Sequence, residues 1–88
     1  MADQSLQDIR DEIDKIDEGI LDLLDKRMKL AIEISKVKKV SSKEIFDPER
    51  ERELLARLIE MNKETIIPDD KILEIWGKII ELSRETQK

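Results

Sequence analysis

The feature that most constrains this chain is an apolar series that runs from Leu6 to Val37. Leu6, Ile9, Ile13, Ile16, Ile20, Leu23, Leu30, Ile34 and Val37 follow at alternating steps of three and four, with one place in the series taken by Arg27. Such steps trace one face of an α-helix, and their heptad regularity suits packing of helix along helix. No proline interrupts the series, and its single glycine, Gly19, lies on the polar side. Ser41-Ser42 offers a stop, so the spacing predicts a helix over about residues 5–40, ~50 Å long at about 1.5 Å per residue.

Two shorter helices are predicted after it. Asp47-Pro48-Glu49 reads as a helix start, with an N-cap aspartate, a proline in the first turn and an acid behind it. That helix, about residues 48–63, carries Leu54, Leu55, Leu58, Ile59 and Met61. Pro68-Asp69-Asp70 starts a third, about residues 69–87, with Ile72, Leu73, Ile75, Trp76, Ile79, Ile80 and Leu82. The expectation is one all-α domain over 1–88, three helices per chain, one long and two short. With 88 residues, a compact globule would be ~30 Å across, too small to enclose the first helix. Two chains laid side by side would cover the apolar row, so an intertwined two-fold homodimer is expected. The alternative is a first helix broken near Gly19 and a monomeric bundle.

Composition removes many functions. There is no cysteine and no histidine, hence no thiolate nucleophile, no disulfide and no imidazole base or metal ligand. No metal and no cofactor are expected. The net charge is −5 and aromatics make up 2%, which speaks against nucleic acid as a partner. No apolar run reaches the ~20 residues of a membrane span, and the polar start of the chain lacks the apolar core of a signal peptide. A cytoplasmic protein that does not engage membranes is the expectation.

The informative positions are polar residues that continue apolar faces. Arg27 holds a stripe position, and Lys38, eleven residues on, falls on nearly the same face. Either could also snorkel, with its stem on the surface and its head in water. Arg50 shares a face with Leu54, and Glu51 follows it, while Asp47 serves first as the N-cap. Ile80, Ser83 and Gln87 form a row that turns from apolar to hydrogen-bonding, or else simply frays at the helix end. Arg10 lies seventeen residues from Arg27, ~25 Å along a straight helix, so a site using both arginines must lie between chains. The inward set is thus Arg10, Arg27, Lys38, Arg50, Glu51, Ser83 and Gln87, four of them cationic in an acidic chain. Clustered cations need an anionic ligand to offset their desolvation, and guanidinium forks match carboxylates. A small di- or tri-anion bearing carboxylates is the expected ligand.

The chain resembles the all-helical class of chorismate mutases. The matching segments are Ile9-Arg10-Asp11-Glu12-Ile13-Asp14-Lys15-Ile16-Asp17, Leu23-Leu24-Asp25-Lys26-Arg27, Ile34-Ser35-Lys36-Val37-Lys38 and Asp47-Pro48-Glu49-Arg50-Glu51-Arg52-Glu53. Each is weak alone; their order and spacing are specific, over about residues 6 to 87. The resemblance implies an intertwined homodimer that rearranges the chorismate dianion to prephenate, in phenylalanine and tyrosine biosynthesis. It implies that Arg10 of the partner and Arg27 hold the substrate carboxylates. Lys38 and Gln87 would face the ether oxygen, and Glu51, with the backbone near Asp47, would take the ring hydroxyl. Arg50 and Ser83 would complete the polar wall, and Leu54, Ile34 and Ile80 would pack on the ring. Arg84 departs from the pattern, standing where an apolar residue helps line the site, so it either turns outward or adds a cation. Two rivals remain open: an isochorismate-pyruvate lyase on the same scaffold, and a non-catalytic helical dimerisation or regulatory module. The Asp47…Arg50-Glu51 stretch favours the mutase over the lyase. The inward cations disfavour the module.

Overall fold

The protein was analysed as a computed structural model, which describes residues 5–37 and 47–87. Among these residues every regular element is helical. The first helix, α1, spans Leu6–Lys36. Its start is fixed by a capping box: the Asp8 amide donates to the Ser5 hydroxyl at 3.1 Å, and the Ser5 amide donates to the Asp8 carboxylate at 3.3 Å. Two exposed i,i+4 ion pairs, Asp22–Lys26 and Asp25–Lys29, run acid before base, the order that favours a helix by a few tenths of a kcal/mol each. The helix passes through Gly19 unbroken. It stops short of the expected residue 40 because Val37 is already extended, at φ −68° and ψ 129°. Residues 38–40 lie outside the described residues.

The second helix, α2, spans Pro48–Met61 and is followed by a 3-10 turn at Asn62–Glu64; the third, α3, spans Asp69–Thr86. The α2–α3 connection is organised by Asn62, which is 5% exposed. Its amide nitrogen donates to the Ile67 carbonyl at 2.7 Å and to the Asp69 carboxylate at 2.8 Å. Its side-chain oxygen accepts from the Thr65 hydroxyl, which in turn accepts from the Ile67 amide at 3.1 Å. This network satisfies the backbone amide and carbonyl of Ile67 in the loop between the two helices.

Helix α3 is the hub: the C-terminal third of α1 packs on it from one side and α2 from another. The core is thin. Among the described residues the buried apolar side chains are Met28 and Ala31 of α1 and Ile72 and Ile80 of α3. The rest of α1 projects away. Leu6, Ile9, Ile13, Ile16, Ile20 and Leu23 are between 42% and 65% exposed. The molecule measures 61 × 25 × 16 Å with a radius of gyration of 17.0 Å, against ~12 Å for a compact chain of this length.

Candidate active site

Where α1, α2 and α3 meet, they enclose an open cavity of about 360 Å³. Its apolar lining is Leu30, Ala31 and Ile34 from α1, Leu54 from α2 and Ile80 from α3. Its polar lining is Arg27, Asp47, Arg50, Glu51, Ser83, Arg84 and Gln87. The helical periods explain the convergence. Arg27, Ala31 and Ile34 are one turn apart on α1; Arg50 and Leu54 on α2; Ile80, Ser83, Arg84 and Gln87 on α3.

Arg27 is held in place by α3, its guanidinium donating to the Ser83 hydroxyl. That hydroxyl donates onward to the Ile79 carbonyl at 3.1 Å, so its lone pairs face the arginine. Burial, and then the neighbouring Arg50 cation, push the Arg27 guanidinium below its ordinary pKa. Two like charges facing one cavity oppose each other and draw in an anion. Gln87 closes the far end. Its amide donates to the Ala31 carbonyl at 3.1 Å, and the same amide carries a second hydrogen and an acceptor oxygen. Asp47 caps α2, its carboxylate accepting from the Arg50 amide at 3.1 Å, and it also borders the cavity.

Glu51 and Arg84 face each other across the cavity wall. One guanidinium nitrogen of Arg84 lies 2.6 Å from each carboxylate oxygen of Glu51. Of the two arrangements open to Arg84 from the sequence, the structure adopts the inward one. Sequence reasoning did not find this pair. The available signal was that Arg84 lies four residues beyond Ile80, on the same face.

The structure thus brings Arg27, Asp47, Arg50, Glu51, Ser83 and Gln87 around one cavity. Arg10 lies elsewhere, exposed near the start of the continuous helix α1 and outside the cavity lining. Lys38 lies outside the described residues.

The family profile described as chorismate mutase type II matches residues 9–88. The chain belongs to that family. Among its relatives, the bifunctional chorismate mutase/prephenate dehydratase of Aquifex aeolicus is 38% identical over 88 residues, covering 97% of this chain and 24% of that protein. The enzyme of the same name from Escherichia coli K12 is 37% identical over 87 residues, 99% of this chain and 22% of that protein. The T-protein of Enterobacter agglomerans is 35% identical over 72 residues, 82% of this chain and 19% of that protein. The chain therefore spans about a quarter or less of the length of these curated relatives. No solved structure gave a significant match. As a member of the chorismate mutase type II family, the chain carries its polar cavity within the matched segment, from Arg27 to Gln87. Among the described residues, no helix is long and apolar enough to cross a membrane.

Proposed function

We propose that residues 1–88 form one chorismate mutase domain, which rearranges chorismate to prephenate in phenylalanine and tyrosine biosynthesis in the cytoplasm. The observation that carries the reading is the Ser83-fixed Arg27 beside Arg50 in a half-open, partly apolar cavity, within a chain of this family. Such a cavity suits a small ring bearing carboxylates. The reaction is internal to one molecule: a C–O bond breaks as a C–C bond forms. It needs neither proton transfer nor a covalent intermediate, in keeping with a chain that has no histidine and no cysteine.

The task left to the protein is twofold. It must hold the dianion in the chair-like conformer that brings the reacting carbons together. It must also stabilise negative charge that grows on the ether oxygen as the C–O bond opens. In this reading Arg27 binds one carboxylate, and Arg10 from a second chain binds the other. Arg50 and Ser83 complete the polar wall, and Glu51 with the backbone near Asp47 takes the ring hydroxyl. Lys38 and Gln87 serve the ether oxygen, the lysine as a fixed charge and the glutamine as a neutral donor.

A homodimer belongs to the reading for two reasons. The exposed apolar row of α1 wants a cover of its own length. Arg10, near the far end of a continuous 31-residue helix, lies outside the lining of the cavity that holds Arg27.

The test mixes two variants, Arg10→Ala and Arg27→Ala, and follows chorismate loss after subunit exchange. In a mixed dimer one site lacks both arginines and the other keeps both. Each variant alone is expected to be inactive, and the mixed dimer to recover about half of wild-type activity. Wild type without chorismate turnover would sink the function, and isochorismate would then be the substrate to try. An active wild type with no rescue on mixing would remove only the shared site.

A further inference from the structure

The pocket of a protein that binds a dianion is an awkward place for a carboxylate, yet Glu51 borders the cavity and is only 26% exposed. Its partner across the wall is Arg84, 40% exposed, with one guanidinium nitrogen 2.6 Å from both carboxylate oxygens and its Nε buried in the wall. Each residue also suits its own helix. Glu51 sits in the first turn of α2 and Arg84 in the last turn of α3, where their charges oppose the helix dipoles. That accounts for a charge of each sign at each place. It does not account for the two meeting at the cavity.

The charges of the cavity lining show what the meeting does. Arg27, Arg50 and Arg84 are cationic, and Asp47 and Glu51 are anionic, which leaves an excess of one positive charge. Take Arg84 away and the described lining is neutral, facing a doubly negative ligand. Asp47 is already occupied, capping α2 with its carboxylate on the Arg50 amide. Glu51 is the carboxylate without a capping duty in the hydrogen bonds described above, and Arg84 is the cation set against it. One guanidinium nitrogen serving both oxygens sets its positive charge on the axis of the Glu51 carboxylate.

We infer that Arg84 is a positioning residue that screens Glu51, so that this carboxylate accepts a hydrogen bond from the ring hydroxyl without repelling the substrate's carboxylates. The inference rests on the chorismate mutase reading and adds to it a residue acting through Glu51 rather than on the substrate. Charge repulsion acts on the bound substrate and on the transition state alike, so the effect falls on KM and leaves kcat nearly untouched.

Four proteins test it: wild type, Arg84→Met, Glu51→Gln and the double variant, with Arg84→Lys as a fifth that keeps the cation without the fork. Far-UV circular dichroism and thermal melts accompany the kinetics. Arg84→Met is expected to raise KM for chorismate about tenfold, the order left for a half-exposed charge after solvent screening, with kcat within about twofold. Arg84→Lys should stay within about threefold of wild type. The decisive result is rescue. Glutamine keeps an acceptor oxygen but carries no charge, so the double variant should return to within about threefold of wild-type KM. If Arg84 only ties α3 to α2, either substitution breaks the same tie, so Glu51→Gln alone shows the Arg84→Met defect, the double variant keeps that defect undiminished, and the melting temperature falls with it. If Arg84 grips a substrate carboxylate itself, the Arg84→Met defect is the same in both backgrounds. Either outcome overturns the inference while chorismate turnover by wild type persists. Loss of the inference together with the function requires wild type to be inactive as well.

Discussion

Arg27 stands where the α1 stripe asks for an apolar side chain, and the fold gives it one neutral partner, the Ser83 hydroxyl. Its pKa is lowered by burial and by Arg50. For a cation, a lowered pKa means that the charged form is less favourable in the fold than in the unfolded chain. The cost is therefore present at every pH below the folded value. Since the group stays protonated across the neutral range, it gives stability no slope between about pH 6 and pH 9. An anion, not a proton, relieves it. Arg27→Met should accordingly melt at or above the wild-type temperature without ligand, and lose the rise in melting temperature that chorismate or prephenate gives wild type. Its kcat/KM should fall by about 10²–10³, the range expected when one partner of a buried, hydrogen-bonded charge pair with a substrate carboxylate is removed. Differential scanning fluorimetry with and without prephenate reads the first two effects. A variant that melts well below wild type yet keeps its ligand response would show Arg27 to be a structural residue. Arg27 was legible in the sequence because a charge broke a regular apolar series. The pairing of Arg84 with Glu51 was not, because it follows from the approach of α2 to α3, which no local pattern records.

Element by element, the chain's own periodicity was legible in long stretches and poor at the joints. The stripe on α1 and the Asp47-Pro48 start of α2 rest on backbone geometry that depends on a few neighbouring residues, and these are read directly. The helix ends were harder. The end of α1 at Lys36 follows from Val37 being extended, with no glycine or proline there to announce it. The Ser5–Asp8 capping box stands in the letters too, while the apolar stripe by itself places the start at about residue 5. The α2–α3 joint depends on a buried asparagine whose partners are three to seven residues away. Asn62 holds the angle between the two helices that carry Glu51 and Arg84. Asn62→Ala should cost about 2 kcal/mol, the loss expected when a buried group with several partners is removed and they are left unsatisfied. Asn62→Asp should cost more, because it puts a second carboxylate where Asp69 now accepts a proton donor. Urea denaturation of the three proteins checks the order. An alanine variant as stable as wild type would show that helix packing alone sets the joint.

At the scale of the whole molecule, the argument turns on area. The six apolar side chains of the stripe, Leu6, Ile9, Ile13, Ile16, Ile20 and Leu23, face water over a length of α1 that α2 and α3 do not cover. A long helix packed along only a third of its length has little to hold the rest, since an isolated helix is marginal in water. At roughly 25 cal/mol per Å², covering each such side chain contributes about 1–2 kcal/mol. Two copies of α1 running side by side would cover both rows at once. In the proposed dimer, folding and association are one equilibrium, so the melting temperature rises with protein concentration. Ile13 lies in the middle of the row and is 51% exposed in the single chain. Placed in the proposed interface, Ile13→Glu would bury two unpaired carboxylates related by the two-fold axis, a penalty of several kcal/mol. It should yield a monomer with reduced helix content and no mutase activity, whereas Lys15→Gln, beside the row and exposed, should leave assembly unchanged. Sedimentation equilibrium and far-UV circular dichroism at matched concentrations decide between the two. Were Ile13→Glu to remain fully helical and active as a monomer, the stripe would have to be satisfied some other way, and Arg10 would lose its route to a pocket.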